Sequence, residues 1–271
     1  MNTDQIPGRR MRLPAGACDD FVLWLILFFL LSISASAAHN DKVSALLERA
    51  RSQVENFQYK EALDLYERIL EHDPGNFQAL CGAAYTGGWV GKFSPEGERA
   101  AFYNKALQMA RQAYELRPDD PEANFAMAWG LGGKALLSGP RERVKVAEEM
   151  RAYLMKALDK NPDDHRAWYV LGRLRYRIAT AGFLERTAAK LFFGGLPEDG
   201  DMEGAIKAYR KAVDLHSGSI LYRYELARAL QEAGQPQEAL KHYQEAAQLE
   251  PRTPEDPTLL ARCRYQADQL R

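Results

Sequence analysis

One spacing pattern occurs five times in this chain of 271 residues, and it limits what the chain can fold into. In the clearest copy, Ala239, Tyr243, Ala246 and Pro251 are separated by steps of four, three and five residues. Steps of four and three keep side chains on one face of an α-helix, and alanine there lets a second helix approach closely. The pattern therefore predicts stacked pairs of antiparallel helices. The other copies are Ala62, Tyr66, Ile69, Pro74; Ala106, Ala110, Ala113, Pro118; Met150, Leu154, Ala157, Pro162; and Ala205, Tyr209, Ala212, Ser217.

Helical periodicity continues through almost all of the sequence from residue 41, and no segment alternates as a half-buried strand does. We therefore predict an all-α, tetratricopeptide-like α-solenoid of about five helix pairs with a C-terminal capping helix. The expected repeats are at about residues 43–76, 77–120, 121–164, 165–219 and 220–253, and the capping helix is at 256–271.

The three middle pairs are longer than the first and the last. From the small residue of the first helix to the first motif residue of the second, the interval is 12 residues in the outer pairs (Ala50 to Ala62, Ala227 to Ala239). In the middle three pairs the interval is 24, 22 and 33 residues. The sequence thus predicts long insertions, as longer helices or as loops, in these pairs. Insertions of this kind usually lie on one face of a repeat protein, often the binding face.

The motifs resemble those of known helical-repeat proteins. Trp168, Leu171 and Gly172 match the Trp-x-x-Leu-Gly pattern of the first helix of a tetratricopeptide repeat. The fourth insertion, residues 183–197, contains Glu-Arg, Leu-Phe and Pro in an order that resembles the regulator of microtubule dynamics family, most specifically across residues 168–212. The resemblance implies a helical-repeat fold, an association with membranes and microtubules and, in one branch, phospholipid binding at organelle contacts.

The N-terminal residues resemble a targeting segment rather than part of the folded domain. Residues 21–31 are eleven apolar residues without a charge, preceded by arginines and followed by the small-x-small sequence Ala35-Ser36-Ala37. Eleven residues rise about 16 Å as a helix, which is short of a hydrocarbon core of about 30 Å. We predict a signal peptide over residues 1–37 and a secreted or periplasmic mature protein. The alternative is an uncleaved membrane anchor over residues 21–38.

Charge and cysteine content exclude several classes of protein. The chain has 36 Lys and Arg and 37 Asp and Glu, a net charge of −1, which argues against a nucleic-acid partner. Removal of residues 1–37 leaves two cysteines, Cys81 and Cys263, both in apolar helical surroundings. Free buried thiols are favoured, and a disulfide between them stays open as an alternative.

No set of residues indicates catalysis, a metal or a cofactor. The five histidines are far apart and fit no metal-ligand spacing. The glycines around Gly130 and Gly87 follow no strand, so close helix packing explains them better than phosphate binding. Asp120, before Pro121, and Asp164 are expected to cap helices, as are Ser94 and Asp256 before their prolines. We predict a protein that is not an enzyme and that has no cofactor.

A binding groove is the remaining functional prediction. In tetratricopeptide repeats the second, fifth, ninth and twelfth positions of each first helix line the concave surface. Aromatic residues around arginines suit a carboxylate or phosphate attached to an apolar group. In the alternative interpretation, the tyrosines are core and the arginines pair with nearby glutamates. The predicted groove residues are Phe125, Trp129, Arg166, Tyr169, Arg173, Tyr176, Tyr224 and Arg228.

We expect the chain to act as a noncatalytic adaptor or scaffold that holds a protein or peptide partner, with a carboxylate or an acidic segment, in this groove. The alternative, which follows from the family resemblance, is a lipid-binding or membrane-tethering protein whose ligand is an anionic lipid or membrane surface. Phe192 and Phe193 of the fourth insertion would contact a membrane in that case, and otherwise pack back on neighbouring helices.

Overall fold

The computed structural model describes residues 41–182 and 201–271, together with Thr187, Lys190 and Leu191. Residues 47–271 form one compact unit. The predicted signal peptide or anchor, and Phe192 and Phe193, lie outside the described residues. No described helix is both long enough and apolar enough to cross a membrane.

The described part of the chain is all-α and contains no strand, as the repeat pattern predicted. Residues 41–55 are helical and are called α1 here. The helices that follow alternate along the chain as pairs joined by short turns. They are α2 (Tyr59–His72), α3 (Phe77–Phe93), α4 (Glu96–Leu116), α5 (Pro121–Leu137), α6 (Pro140–Lys160), α7 (His165–Ala179), α8 (Met202–Leu215), α9 (Ile220–Glu232), α10 (Pro236–Ala247) and α11 (Asp256–Gln269).

The helical members of the spacing motif are buried in all five copies. Their tyrosines lie against small residues of a neighbouring helix, as close packing requires. A Cβ atom on Gly82 of α3 would come within 2.3 Å of the Tyr66 ring on α2, and one on Gly172 of α7 within 2.6 Å of the Tyr209 ring on α8. Glycine is therefore required at both positions, because any side chain would displace the tyrosine.

The turns between successive pairs share one backbone pattern. The carbonyl of the third motif residue accepts a hydrogen bond from the amide four residues on, and a second hydrogen bond spans the next three residues. In the first copy these are Asp73 N to Ile69 O, at 2.8 Å, and Asn76 N to Asp73 O, at 3.0 Å. The equivalent bonds recur after Ala113, Ala157 and Ala212. Because these four turns have the same backbone hydrogen bonds, each of the four following helix pairs begins with the same local geometry, as a repeat architecture requires.

The insertions take two forms. In the second and third pairs the added residues are extra helical turns: α3 and α5 have 17 residues and α4 and α6 have 21, against 14 in α2. In the fourth pair they lie between Ala179 and Met202, in a segment described only in part. The second and third pairs therefore extend beyond the length of the outer pairs.

Two of the four predicted helix caps are confirmed. Asp120 Oδ1 accepts from Glu122 N at 2.9 Å, and Asp164 Oδ1 from Arg166 N at 2.9 Å. Ser94 instead ends α3, because its hydroxyl donates to Val90 O at 2.8 Å. Asp256 lies inside α11, and its carboxylate accepts from the backbone of the preceding loop.

Both described cysteines are free and buried, so the structure contains no Cys81–Cys263 disulfide. Burial raises the pKa of the Cys263 thiol to about 11, and burial likewise raises that of Cys81. Each thiol acts as a small apolar core group.

The stack is not uniform along its length. α3 packs on α5 as well as on α4, whereas α7 packs on α6 and shares no comparable packed face with α5 in the described chain. Of the successive helices from α2 to α11, α6 and α7 share the least extensive contact. The junction between the third and fourth pairs is therefore the most open one, and it determines where a cavity can form.

Candidate functional site

A cavity of about 350 Å³ lies at this open junction. It is bounded by the C-terminal halves of α3, α5 and α7 and the N-terminal halves of α4 and α6. α5 and α7 are tied together at their N-terminal ends, and the cavity lies toward their C-terminal ends. Residues that line it include Trp129, Gly132, Leu136, Val144, Ala147, Met150, Val170, Arg173, Leu174, Arg177 and Ile178.

The walls are apolar because helical spacing brings apolar residues of α6 and α7 to one side. Val144, Ala147 and Met150 are three residues apart on α6, and Val170, Leu174 and Ile178 are four apart on α7. Gly132 of α5 faces the methyl group of Met150, where a Cβ atom would lie 3.5 Å away, at ordinary contact distance. An apolar chain is the ligand such walls accommodate.

Four cationic side chains also line the cavity: Lys92, Arg143, Arg173 and Arg177. Arg143 is partly used by the fold, since it donates to Ala135 O at 3.3 Å and to Ser138 O at 2.8 Å. Arg173 is half-buried and lies 5.8 Å from the Tyr169 ring. Arg177 is exposed and forms no ion pair with any residue that the structure describes. The cavity thus combines an apolar interior with positive charge, which suits an amphipathic anion.

Trp129 is positioned by α3. Its Nε1–H donates to Tyr85 O at 3.1 Å, and its indole lies over Gly88, where a Cβ atom would come within 2.2 Å of Nε1. The Tyr85 and Trp89 rings also contact it, at centroid distances of 5.3 Å each. The indole therefore forms a fixed part of the cavity wall.

Arg166, a predicted groove residue, is engaged inside the protein. Its guanidinium makes two hydrogen bonds to Glu122, at 3.1 and 2.7 Å, and two to Asp164, at 3.0 and 2.8 Å. It also lies 4.4 Å from the Phe125 ring. Burial alone would raise the pKa of Asp164, but the hydrogen bonds and charge of Arg166 lower it below its ordinary value. This network joins the N-terminal ends of α5 and α7.

Arg228 and Tyr176 belong to a second internal network, between α7 and α9. Arg228 Nη2 lies 2.6 Å from Glu225 Oε2, and its guanidinium lies 4.4 Å from the Tyr176 ring. The Tyr176 hydroxyl donates to Glu232 Oε1 at 2.5 Å. Burial raises the pKa of Glu225, against the lowering effect of Arg228 and Arg173. Arg228 thus has both an anionic partner and an aromatic partner within the fold.

The structure brings two of the eight predicted groove residues, Trp129 and Arg173, to the cavity. Phe125, Tyr169 and Tyr176 are buried, at 1%, 3% and 6% exposure, and Tyr224 is partly buried beside Tyr243. They support the surface rather than form its accessible part. A binding role for the eight residues stays a prediction.

Sequence reasoning missed Lys92 and the α6 wall, and it included Arg177 in a basic cluster without placing it in the groove. Val144, Ala147 and Met150 have the spacing of ordinary core residues, so the pattern could not distinguish a cavity wall from core. Lys92 and Arg177 lie beyond the repeat positions that define a groove. Within residues 41–182 and 201–271, no group of three or more His, Cys, Asp or Glu side chains could hold a metal ion.

Comparison with known proteins gives one family. The pattern of the family described as regulator of microtubule dynamics protein 1-3 matches residues 46–271. Regulator of microtubule dynamics protein 3 of Xenopus laevis is 26% identical over 160 residues, which are 59% of this chain and 34% of the relative. The Rattus norvegicus protein of the same name is 25% identical over 162 residues, with the same coverage. The chain thus matches about a third of the length of these relatives.

Solved structures support the fold. A tetratricopeptide-repeat protein of Thermus thermophilus superposes with a TM-score of 0.57 and 20% identity, covering 83% of this chain and 98% of its own. PilF of Pseudomonas aeruginosa superposes with a TM-score of 0.50 and 15% identity, covering 85% and 89%. At these identities the likeness concerns the fold alone.

Proposed function

The chain belongs to the regulator of microtubule dynamics family, and from this premise we propose that it is a noncatalytic adaptor. It binds a segment of a protein partner that carries both apolar and negatively charged side chains. The segment lies in the cavity between the third and fourth helix pairs. The single observation that supports this proposal is the combination of apolar walls from α5, α6 and α7 with Arg173 and Arg177 in one cavity of about 350 Å³.

The proposed binding mode follows from the two kinds of lining. Apolar side chains of the partner would lose contact with water against Val144, Met150 and Leu174, which is the main favourable contribution. Arg173 would orient the segment by binding a carboxylate of the partner. Tyr169 and Glu225 hold the pKa of Arg173 above its ordinary value, against the lowering effect of burial, so the guanidinium stays charged. An adaptor of this kind needs no bond-breaking residues.

A membrane lipid is the second candidate ligand, and the apolar lining is the observation that favours it. An acyl chain would fill the cavity, and its anionic headgroup would lie near Arg177 and Lys92. The proposal includes secretion after cleavage of residues 1–37 or, as the alternative, anchoring by residues 21–38, which would hold the chain at a membrane surface.

The experiment that tests these proposals fills the cavity. Ala147 is partly buried and lines the cavity, whereas Ala152 is exposed on the same helix, so Ala147→Trp and Ala152→Trp form a matched pair. A random-peptide display library is selected against the wild type and both variants. We expect peptides that join apolar and acidic residues to be enriched by the wild type and Ala152→Trp and lost with Ala147→Trp. Arg173→Met should remove the preference for acidic residues.

Native mass spectrometry of protein purified without detergent separates the second candidate. Phospholipid that copurifies with the wild type and with Ala152→Trp, but not with Ala147→Trp, would support the lipid. Equal peptide selection by all three proteins, without any bound lipid, would reject the cavity as the binding site.

A further inference from the structure

The loop before the capping helix contacts the opposite end of the repeat domain. We call residues Arg252–Asp256 the C-terminal strap. Glu255 Oε2 lies 2.5 Å from Nζ of Lys92, a residue 163 positions earlier in the chain. The guanidinium of Arg252 lies 5.5 Å from the centre of the Phe57 ring, in the turn between α1 and α2. The strap thus joins the fifth helix pair to the first two.

The surface that receives the strap is aromatic and basic. The Tyr59 and Trp89 rings stack with centroids 5.1 Å apart and planes 7° apart, and Phe93 stacks on Trp89 at 5.9 Å. The ammonium group of Lys92 lies 4.7 Å from the Trp89 ring. A cation held against aromatic rings and bonded to a carboxylate is the arrangement by which a protein recognises an acidic side chain.

The strap is held in shape by its own end of the molecule. The backbone amides of Arg252 and Thr253 donate to Asp256 Oδ2 at 2.8 and 2.7 Å, and Asp256 N donates to Thr253 Oγ1 at 3.2 Å. α11 packs on α9 and α10, with Leu259 and Leu260 buried against Ile220. The strap therefore needs no contact with α3 to keep its conformation.

The strap contacts α3 and the turn before α2 through side chains, in the Lys92–Glu255 ion pair and the Arg252–Phe57 contact. In the described chain α11 shares no packed helix face with α2 or α3. Lys92 and Glu255 are 32% and 28% exposed, so water reaches their ion pair. Ion pairs open to solvent contribute little to stability, and a competing carboxylate at modest concentration can replace one partner.

We propose that Lys92 and the exposed Phe93 ring, supported from below by the buried Tyr59 and Trp89 rings, form a docking site for an acidic peptide segment of a partner. The chain's own Glu255 occupies this site until the partner displaces it. The proposal rests on the proposed function, since Lys92 also lines the cavity. The strap itself indicates the partner's chemistry: a short, proline-containing segment with a glutamate beside it. Binding at Lys92 and filling of the cavity would then belong to one event.

The test measures binding of the strap sequence in trans. A fluorescent peptide of residues 249–258 is titrated into the full chain and followed by anisotropy. In the wild type, Glu255 competes with the peptide for Lys92. The apparent affinity is the intrinsic affinity multiplied by the fraction of molecules in which Lys92 is free. We expect Glu255→Gln to bind the peptide about two- to sixfold more tightly than the wild type, because a solvent-open ion pair occupies Lys92 only part of the time.

Variants of the chain, a changed peptide and circular dichroism serve as controls. Glu67→Gln removes the partner of Lys105, an ion pair at 2.9 Å elsewhere on the surface, and should leave peptide affinity unchanged. Lys92→Met added to Glu255→Gln should abolish the gain. A peptide with glutamine in place of its Glu255 should bind all proteins equally weakly. Circular dichroism of each variant establishes that helix content is retained. The exchanged pair Lys92→Glu with Glu255→Lys should bind the peptide more weakly than the wild type, because a glutamate at position 92 repels the peptide's carboxylates.

Equal peptide affinity in the wild type and Glu255→Gln would overturn the proposal, as would an equal gain in Glu67→Gln. Displacement of the peptide by phosphatidate-containing vesicles, but not by unlabelled acidic peptides, would overturn the peptide assignment in favour of a lipid headgroup. If Glu255→Gln leaves peptide affinity unchanged while Ala147→Trp loses its ligand, the strap is rejected as competitor and the cavity stays the proposed binding site.

Discussion

Gly172 of α7 lies so close to the Tyr209 ring of α8 that a Cβ atom on the glycine would come within 2.6 Å of Cδ1. Tyr209 is fully buried, so the ring has no free space into which to move. The closeness of the two helices in the fourth pair thus depends on one missing methyl group.

Gly172→Ala should therefore lower stability although alanine favours helix. The gain in helix propensity is about 1 kcal/mol, and overpacking costs about 1–3 kcal/mol, so we expect a net loss of up to about 2 kcal/mol. Gly97 is the matched control, because no atom lies within 4 Å of its Cβ position on α4. Gly97→Ala should be neutral or stabilising by up to about 1 kcal/mol. Urea unfolding followed by circular dichroism measures both, and equal midpoints would contradict the packing explanation.

Arg166→Met should destabilise the junction of α5 and α7. The change leaves Glu122 and the buried Asp164 without their cation, and we expect a loss of about 2–3 kcal/mol in the free energy of unfolding. Arg210 also pairs with a glutamate, since its Nη2 donates to both carboxylate oxygens of Glu238, but both side chains are well exposed. Arg210→Met should cost less than about 1 kcal/mol. Thermal unfolding compares the two, and equal losses would show that burial does not set the strength of the Arg166 network.

Stability should fall in acid because of a histidine pair. The His165 and His216 rings stack 4.6 Å apart, and the Tyr222 hydroxyl lies 3.0 Å from His165 Nδ1. Burial and the charge of His216 lower the pKa of His165 from 6.5 to about 4, with Asp164 opposing and Arg166 adding to the shift. Burial and the charge of Arg252 lower that of His216.

The unfolded chain thus binds more protons than the folded chain between about pH 6.5 and pH 4, so the free energy of unfolding decreases as the pH falls through this range. Solvent screening of the partly exposed ring reduces the effect to the order of 1 kcal/mol. His165→Phe should flatten this part of the stability profile, and His72→Gln, on the exposed end of α2, should not. Urea midpoints from pH 7 to pH 4 test it, and an unchanged slope in His165→Phe would assign the acid sensitivity to other groups.

The thiols of Cys81 and Cys263 should react with a thiol reagent only when the protein unfolds. They are 3% and 0% exposed, and burial raises the pKa of both. Mass spectrometric mapping of alkylation in native buffer should find neither residue modified, and both modified in denaturant. Rapid alkylation of Cys263 in native buffer would show that α11 separates from α9 and α10.

The fold was predictable because it depends on local spacing. Alanines and tyrosines at steps of four and three define the buried face of each helix, and they do so five times over, so errors in one copy are corrected by the others. The lengths of the insertions were also legible. The sequence did not show that the insertions in the second and third pairs are extra helical turns. The spacing gives the combined length of helix and loop in each pair, and it does not separate the two.

The site was predictable only in part. Glu122 and Arg166 occupy the same repeat position in adjacent pairs, so their opposite charges could have indicated that they meet, which would have removed Arg166 from the groove. Trp129 and Arg173, which occupy the same repeat position in adjacent pairs, both line the cavity, and their binding role stays a prediction. Lys92 lies in a helical extension, and its partner Glu255 is 163 residues away, a relationship that no local pattern contains.

The limited contact between α6 and α7 also bears on how the molecule comes apart. In a stack where each pair is stabilised mainly by its neighbours, cooperativity across a boundary depends on the area shared there. The boundary between Lys160 and His165 is the weakest such link from α2 to α11. Heat or mechanical tension should part the chain at this seam first, so that the segments before and after it melt as two blocks rather than in a single step.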